Sequence, residues 1–245
     1  MKIEIHPPGC HSGNCPAVSA NTAGYFYCRS QPNGVRVNRL RVSWLGIQRQ
    51  TGDPMTVAAS HHHSTTDEIL RLFRERGGSQ YGGEAVTQRE HALQAATFAE
   101  REGATPALIA AALIHDVGHL LHDLPNDAPD QGIDDQHETL AARWLASRFP
   151  PAVVAPVAMH VAAKRYLCAT DVDYLEQLSQ PSIQSLALQG GPMTRDEVEC
   201  FESRPFFQDA VRLRRWDDAA KVVGMITPGL EHFAGYLNRV LESEK

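Results

Sequence analysis

The sequence predicts an all-α domain, a bundle of about eight to ten helices, and three observations carry that reading. Helix start and stop signals recur at short intervals after Met55, the apolar residues between them follow the helical period, and no stretch there alternates with the two-residue period of a strand. Of the 245 residues, 42% are hydrophobic and 21% charged, enough apolar content for a single globular core. No run of eighteen apolar residues occurs, and residues 1–28 lack the apolar centre of a secretion signal. A cytoplasmic protein with no membrane partner is therefore expected.

Thr65 and Glu68 have capping-box spacing ahead of Ile69, Leu70 and Phe73, and Gly77-Gly78 closes that first helix. Thr87 with Glu90 opens a second, which runs to Gly103. Thr105-Pro106 supplies an N-cap and an N1 proline for an apolar helix from Ala107 to Leu121, whose alanine and leucine content implies burial. Asp134 or Asp135 starts a helix that continues through Arg148 and stops at Pro150-Pro151. Further helices are expected at about Ala152–Tyr166, Val172–Leu178, Pro181–Leu188, Thr194–Ser203, Pro205–Val223 and Pro228–Ser243, with a break at Gly190-Gly191-Pro192.

Charge divides the chain near Met55. Residues 1–54 hold 6 Lys+Arg against 2 Asp+Glu, and residues 55–245 hold 17 against 27. Cys10, Cys15 and Cys28 crowd among prolines and glycines, but their spacing matches no common zinc knuckle. Residues 29–49 carry five Arg and no acid, yet only Trp44 interrupts them as an aromatic, so no nucleic-acid partner is expected. Residues 1–54 read as a disordered or non-native leader, and residues 55–245 as the working domain. The triplet His61-His62-His63 reads as loop.

The apolar third helix ends in Leu113-Ile114-His115-Asp116-Val117-Gly118-His119. Ionisable groups at the end of such a helix are costly to bury unless something binds them, and a metal ion is the natural candidate. His115 and His119 share one helix face, the Asp116 carboxylate can offer its two oxygens to two cations, and Gly118 admits a second backbone or ligand at close range. His91, His137 and His160 lie on three further helices, each beside apolar residues. A lone histidine in such a place is more often a satisfied core residue, but four ordered around a His-Asp pair are not independent accidents. Asp217-Asp218 adds acid to a helix that is apolar at Val211, Leu213 and Trp216.

In the order His91, His115-Asp116, His137, His160 and Asp217, the chain resembles the HD-domain metalloprotein superfamily. The resemblance implies an HD-domain helical bundle with a dinuclear metal site in its core. His91, His115, Asp116 and Asp217 would hold one ion, and His137 and His160 the other, with Asp116 bridging. Asp217 is preferred to Asp218 because the diiron members place a lysine four residues after the ligand, as Lys221 is here. All these donors are imidazole or carboxylate, and neither Cys168 nor Cys200 stands at a ligand position, so Mn, Mg, Zn and Fe all remain open. Two carboxylates leave a pair of ions with surplus positive charge, which suits a phosphate- or phosphonate-bearing substrate.

Tyr81-Gly82-Gly83-Glu84 upstream of His91, Lys164-Arg165 after His160, and Ser182-Ile183-Gln184-Ser185 through Gln189-Gly190-Gly191 resemble the HD-domain mixed-valence diiron oxygenases of phosphonate breakdown, from about Ile69 to Leu241. That family implies two Fe ions, Fe(II) and Fe(III), and O2-dependent cleavage of the C–P bond of a 1-hydroxy-2-aminoethylphosphonate, in amino or trimethylammonio form. The products would be glycine or glycine betaine and phosphate. Tyr81 would occupy an iron position until substrate displaces it, Glu84 would sense the ammonium group, and His119 and Lys164 would meet the phosphonate. Lys164 also stands four residues after His160, on the same helix face. Ser182, Ser185, Gln189 and Arg214 are further substrate-binding candidates. Oligomeric state is not legible. The alternative reading is a metal-dependent HD phosphohydrolase acting on a small phosphate ester or nucleotide.

Overall fold

The computed structural model describes residues 19–20, 26–27, 64–122 and 135–243. Cys10, Cys15, Cys28, the arginines of residues 29–49, His61-His62-His63 and Asp134 lie outside the described residues. The chain divides into two units, Met1–Val57 and Ala58–Lys245. In the first, Ser19–Ala20 (β1) and Phe26–Tyr27 (β2) pair as a short antiparallel ribbon. The second is all-α among its described residues, with eleven helices.

Helix α1 (Thr65–Arg76) begins one residue earlier in capping register than expected: the box joins Ser64 to Asp67, not Thr65 to Glu68. The tripeptide spacing fits both pairs, and Glu68 is drawn away toward Arg148, whose Nε lies 3.4 Å from its carboxylate. Helix α2 (Gln88–Arg101) carries the expected Thr87–Glu90 box. Thr105 and Pro106 open α3 (Pro106–Ile114), where every residue from Leu108 to Ile114 is buried. The expected single helix to Leu121 is in fact two. Asp116 takes φ −100° and ψ 16°, which ends α3 and starts a new turn, α4 (Val117–Leu121), through the bond from His119 N–H to Asp116 C=O at 3.0 Å.

Beyond residues 123–134 the chain resumes in α5 (His137–Leu145), shorter at both ends than expected, with Gln136 in the left-handed region at φ 49° before it. The remaining helices fall where the sequence places them, give or take a turn: α6 (Pro151–Thr170), α7 (Tyr174–Gln177), α8 (Gln180–Leu188), α9 (Arg195–Glu202), α10 (Phe207–Ala219) and α11 (Leu230–Glu242). None of them is long and apolar enough to cross a membrane.

Helix α3 is the hub, packed against α2, α6, α10 and α11. Its three consecutive alanines, Ala110 to Ala112, are fully covered and let these neighbours approach closely. Leu113, Ile114, Leu145, Leu213, Phe233 and Leu237 fill the surrounding core. Because α2, α6 and α10 converge on α3, the polar residues on their inner faces meet where α3 ends. The last contact that closes this meeting point is made without a side chain: a Cβ at Gly118 would stand 2.1 Å from the carbonyl oxygen of His137, so only glycine lets α4 and α5 touch here.

Candidate metal centre

His91 on α2, His115 and Asp116 at the α3–α4 junction, His137 at the start of α5, His160 on α6 and Asp217 on α10 are all buried and meet at one point. Each imidazole has its Nδ1 engaged: His91 with Ala220 C=O at 2.9 Å, His115 with Ala112 C=O at 2.9 Å, His160 with Val157 C=O at 2.7 Å, and His137 with Asp135 Oδ1 at 2.8 Å. All four partners only accept, so Nδ1 carries a proton in each ring and Nε2 faces inward. The Nε2 atoms of His91 and His115 are 3.1 Å apart, and so are those of His137 and His160. Two inward lone pairs at that distance require a proton or a cation between them.

Asp116 faces both pairs. Its Oδ2 lies 3.5 Å from His91 Nε2 and 3.3 Å from His115 Nε2, while Oδ1 lies 3.4 Å from His137 Nε2 and 3.3 Å from His160 Nε2. Asp217 Oδ1 completes the first set, 3.4 Å from His91 and 3.8 Å from His115. Ligands about 2.1 Å from one ion stand about 3.0 Å apart at a right angle and about 3.4 Å at the tetrahedral angle. The observed edges fit that spacing. Both Asp116 oxygens are buried and accept no hydrogen bond, an arrangement that costs stability unless a cation satisfies them. The donor set, imidazole and carboxylate without thiolate, suits Fe, Mn or Zn, and neither Cys168 nor Cys200 belongs to it.

Without an ion, protons take its place. Burial opposes charge on His115, but the Asp116 and Asp217 carboxylates outweigh it and push the imidazole up to about 10. Burial likewise opposes charge on His137, while Asp135 and Asp116 push it up to about 9, and His91 moves in the same direction. Burial works against ionisation of Asp116 and Asp217 too, yet His115 holds the one, and Arg214 with the imidazoles holds the other, well below the usual carboxylate range.

Asp217 and Asp218 separate cleanly. Asp217 turns Oδ1 to the histidines and receives Arg214 Nη1 on Oδ2 at 2.8 Å, whereas Asp218 faces away, clasped by Arg214 and the Tyr174 hydroxyl. Arg214 is therefore buried and committed to both acids rather than lying on the surface.

A cavity of about 190 Å³, roughly six waters' worth of space, opens beside the cluster. Tyr81, Glu84, His119, Lys164, Ser182, Ser185, Gln189 and Arg214 all line it. Tyr81 stacks on the His91 ring at 3.7 Å and donates to Asp217 Oδ1 at 3.2 Å. Burial and the two aspartates hold its phenol well above the ordinary value, which favours the protonated hydroxyl that donates to Asp217. Lys164 is 2% exposed, and among the described residues its only hydrogen bond is to Ser185 Oγ at 2.7 Å. Burial, reinforced by the charge of Arg214, pulls this ammonium down to about 7, so an arriving anion would restore its charge. Gln189 has a buried Oε1 with no partner. Glu84 is paired with Lys221 at 3.2 Å.

Asp135 is the residue that the sequence does not disclose as part of the site. Its Oδ1 accepts from His137, and its Oδ2 lies 2.9 Å from His119 Nδ1 and 3.4 Å from His122 Nε2. Together with the stacking of His119 on His137 at 4.1 Å, it fixes both rings. Spacing suggested Asp135 only as a helix start; its contact with His119 is made across the chain.

Two outcomes follow from this geometry. Gly118→Ala drives the His137 backbone away and should lower bound metal to about half, while circular dichroism still shows a cooperative melt. Metal uptake must displace the imidazole protons, so affinity rises with pH from 7 toward about 10 and falls in acid. Calorimetry in buffers of different ionisation enthalpy should count about two protons released on loading at pH 7.

No family model matches the chain. It is 46% identical over 175 residues to a hydroxymethylphosphonate dioxygenase of Gimesia maris, an alignment covering 71% of this chain and 87% of that protein. It is 43% identical over 171 residues to a [1-hydroxy-2-(trimethylamino)ethyl]phosphonate dioxygenase (glycine-betaine-forming) of Leisingera caerulea, covering 70% and 87%. An uncharacterized protein of Acanthamoeba polyphaga mimivirus is 36% identical over 168 residues, covering 67% and 76%. With identity this high over most of both dioxygenases, the chain belongs to the phosphonate dioxygenase family, the one its Tyr81, His91, His115-Asp116 and Lys164 motifs resemble.

Proposed function

We propose that this chain is a diiron oxygenase that uses O2 to cleave the C–P bond of a 1-hydroxy-2-aminoethylphosphonate, amino or trimethylammonio, to glycine or glycine betaine and phosphate. One observation carries the reading: two donor sets share the unsatisfied carboxylate of Asp116 beside a cavity that holds a buried, nearly unpartnered lysine. The relationship to the two named dioxygenases supports it. His91, His115, Asp116 and Asp217 would hold one iron, and Asp116, His137 and His160 the other. The pair, as Fe(II) and Fe(III), would supply the redox chemistry by which O2 becomes the oxidant of C1, which no side chain can provide.

The remaining roles belong to the chain. Lys164 and His119 face the cavity from α6 and α4 and receive the phosphonate oxygens. Ser185 holds the Lys164 ammonium in place, and Ser182 and the Gln189 Oε1 offer further polar contacts from α8. The hydroxyl of Tyr81 reaches the inward oxygen of Asp217 and yields that position to substrate. Glu84 stands at the far end of the same loop, where a carboxylate can meet a substrate cation. Arg214 holds Asp217 in its orientation through Oδ2. All of these residues lie after Met55.

Purified protein loaded anaerobically with Fe(II) should consume O2 and release phosphate in equal amounts when given the aminohydroxy substrate. Phosphate release that proceeds without oxygen identifies a hydrolase instead. A chain beginning at Met55 should keep full turnover in the same assay; loss of turnover would assign residues 1–54 a part in the enzyme.

A further inference from the structure

Among the described residues of the cavity wall, Lys221 is the cation that the reading above leaves without a task. Its backbone is fixed from both sides: Ala220 C=O accepts from His91 Nδ1 at 2.9 Å, and Gln94 bonds both the N–H and the C=O of Val222, each at 2.9 Å. From this anchored segment the side chain reaches into the cavity. There its ammonium donates to Ser182 Oγ at 2.9 Å and Ser179 Oγ at 3.1 Å and lies 3.2 Å from Glu84 Oε1. Ser179 donates in turn to Glu84 Oε1 at 2.5 Å. A carboxylate and two hydroxyls around one ammonium make a seat for a cation, and the chain fills that seat with its own lysine.

The two named relatives act on phosphonates that differ in this respect: one has a bare hydroxymethyl group, the other a trimethylamino substituent. We infer that Lys221 is a specificity-determining residue, an internal competitor that occupies the Glu84 seat and that a cationic substrate substituent must displace. The inference rests on the phosphonate-cleaving reading. A substrate without a cation leaves the Lys221–Glu84 pair intact and gains the nearby ammonium. A substrate with one has to break the pair, and takes over the carboxylate that Lys221 gives up. The cavity lining supports competition rather than a second cation site, because among its described residues Tyr81 is the only Tyr, Trp or Phe, and no cage of such faces stands ready for a quaternary ammonium.

The test compares wild type, Lys221→Met and Glu84→Gln on hydroxymethylphosphonate and on [1-hydroxy-2-(trimethylamino)ethyl]phosphonate, with KM and kcat read separately and anaerobic calorimetry giving affinities independent of turnover. Lys221→Met should tighten binding of the trimethylamino substrate and weaken that of hydroxymethylphosphonate, shifting the ratio of the two affinities by about tenfold or more, as expected for removal of one partner of a largely buried charge pair. Glu84→Gln should move the ratio the opposite way, toward the substrate that lacks a cationic group, with iron content at the wild-type level. Equal change for both substrates in Lys221→Met, or no change in the ratio, overturns the inference and assigns Lys221 a structural role. If Lys221→Met fails to fold or to bind iron, Lys221→Gln, which keeps a donor for Ser179 and Ser182 without the charge, is read by the same ratio, and an unchanged ratio there overturns the inference. Wild-type protein that cleaves neither phosphonate overturns the reading of the reaction, and with it the inference.

Discussion

The Asp116 carboxylate is the constraint on which the rest of the domain depends. A single buried acid turns one oxygen toward His91 and His115 and the other toward His137 and His160, and neither oxygen has a hydrogen bond of its own. An acid in that state is tolerable only where positive charge lies on both sides of it. That requirement reaches outward through the fold. It needs α3 to stop at Ile114, so that Asp116 projects from a junction rather than from a continuous helical face, and it needs α5 to approach α4 across a glycine.

The second layer of the site is built mostly from backbone. Three of the four inward histidines donate Nδ1–H to main-chain carbonyls, two of them within their own helix turn, at Ala112 and Val157. Such bonds fix ring orientation without further buried side chains and make the ligand geometry a property of the helices themselves. His137 is the exception. At the first position of α5 it has no preceding turn to donate to, and Asp135 supplies the acceptor while also steering His119. Between them these two modes leave every Nε2 free on the inner side. The cations Lys164 and Arg214 then differ in use: Arg214 is spent on two aspartates, while Lys164 faces the cavity with a single serine for company.

What the sequence disclosed of this arrangement follows from the physics of burial. His91, His160 and Asp217 stand out because polar groups on apolar helix faces are rare, and the all-α architecture is written in its caps, such as Thr87–Glu90 and Thr105-Pro106. The break between α3 and α4 was hidden because helical periodicity runs unbroken through His115-Asp116; what ends the helix is the tertiary demand on Asp116. Ser64 and Thr65 both open boxes of the same spacing one residue apart, and in the structure Ser64 takes the cap while Glu68 faces Arg148. Asp135 was legible only as a helix start, since half of its worth lies in a contact with His119 sixteen residues earlier. Lys221 was legible as a spacing after Asp217, but the hydroxyls of Ser179 and Ser182 that hold it were not.

Tyr81 and Glu84 are borne on one short hairpin, closed by the pairing of Gln80 with Thr87 and turned through left-handed glycines at Gly82 and Gly83. The first touches the metal-facing cluster through Asp217, and the second is tied to Lys221 and to the start of α8. Two residues on so short a closed loop do not move independently. The hairpin thus acts as a logical conjunction: a molecule that pulls at only one end works against the contacts at the other, and a molecule that engages both ends meets the resistance once. On the proposed reading, discrimination between a whole substrate and a fragment of it would be a mechanical property of these eight residues rather than of any one side chain.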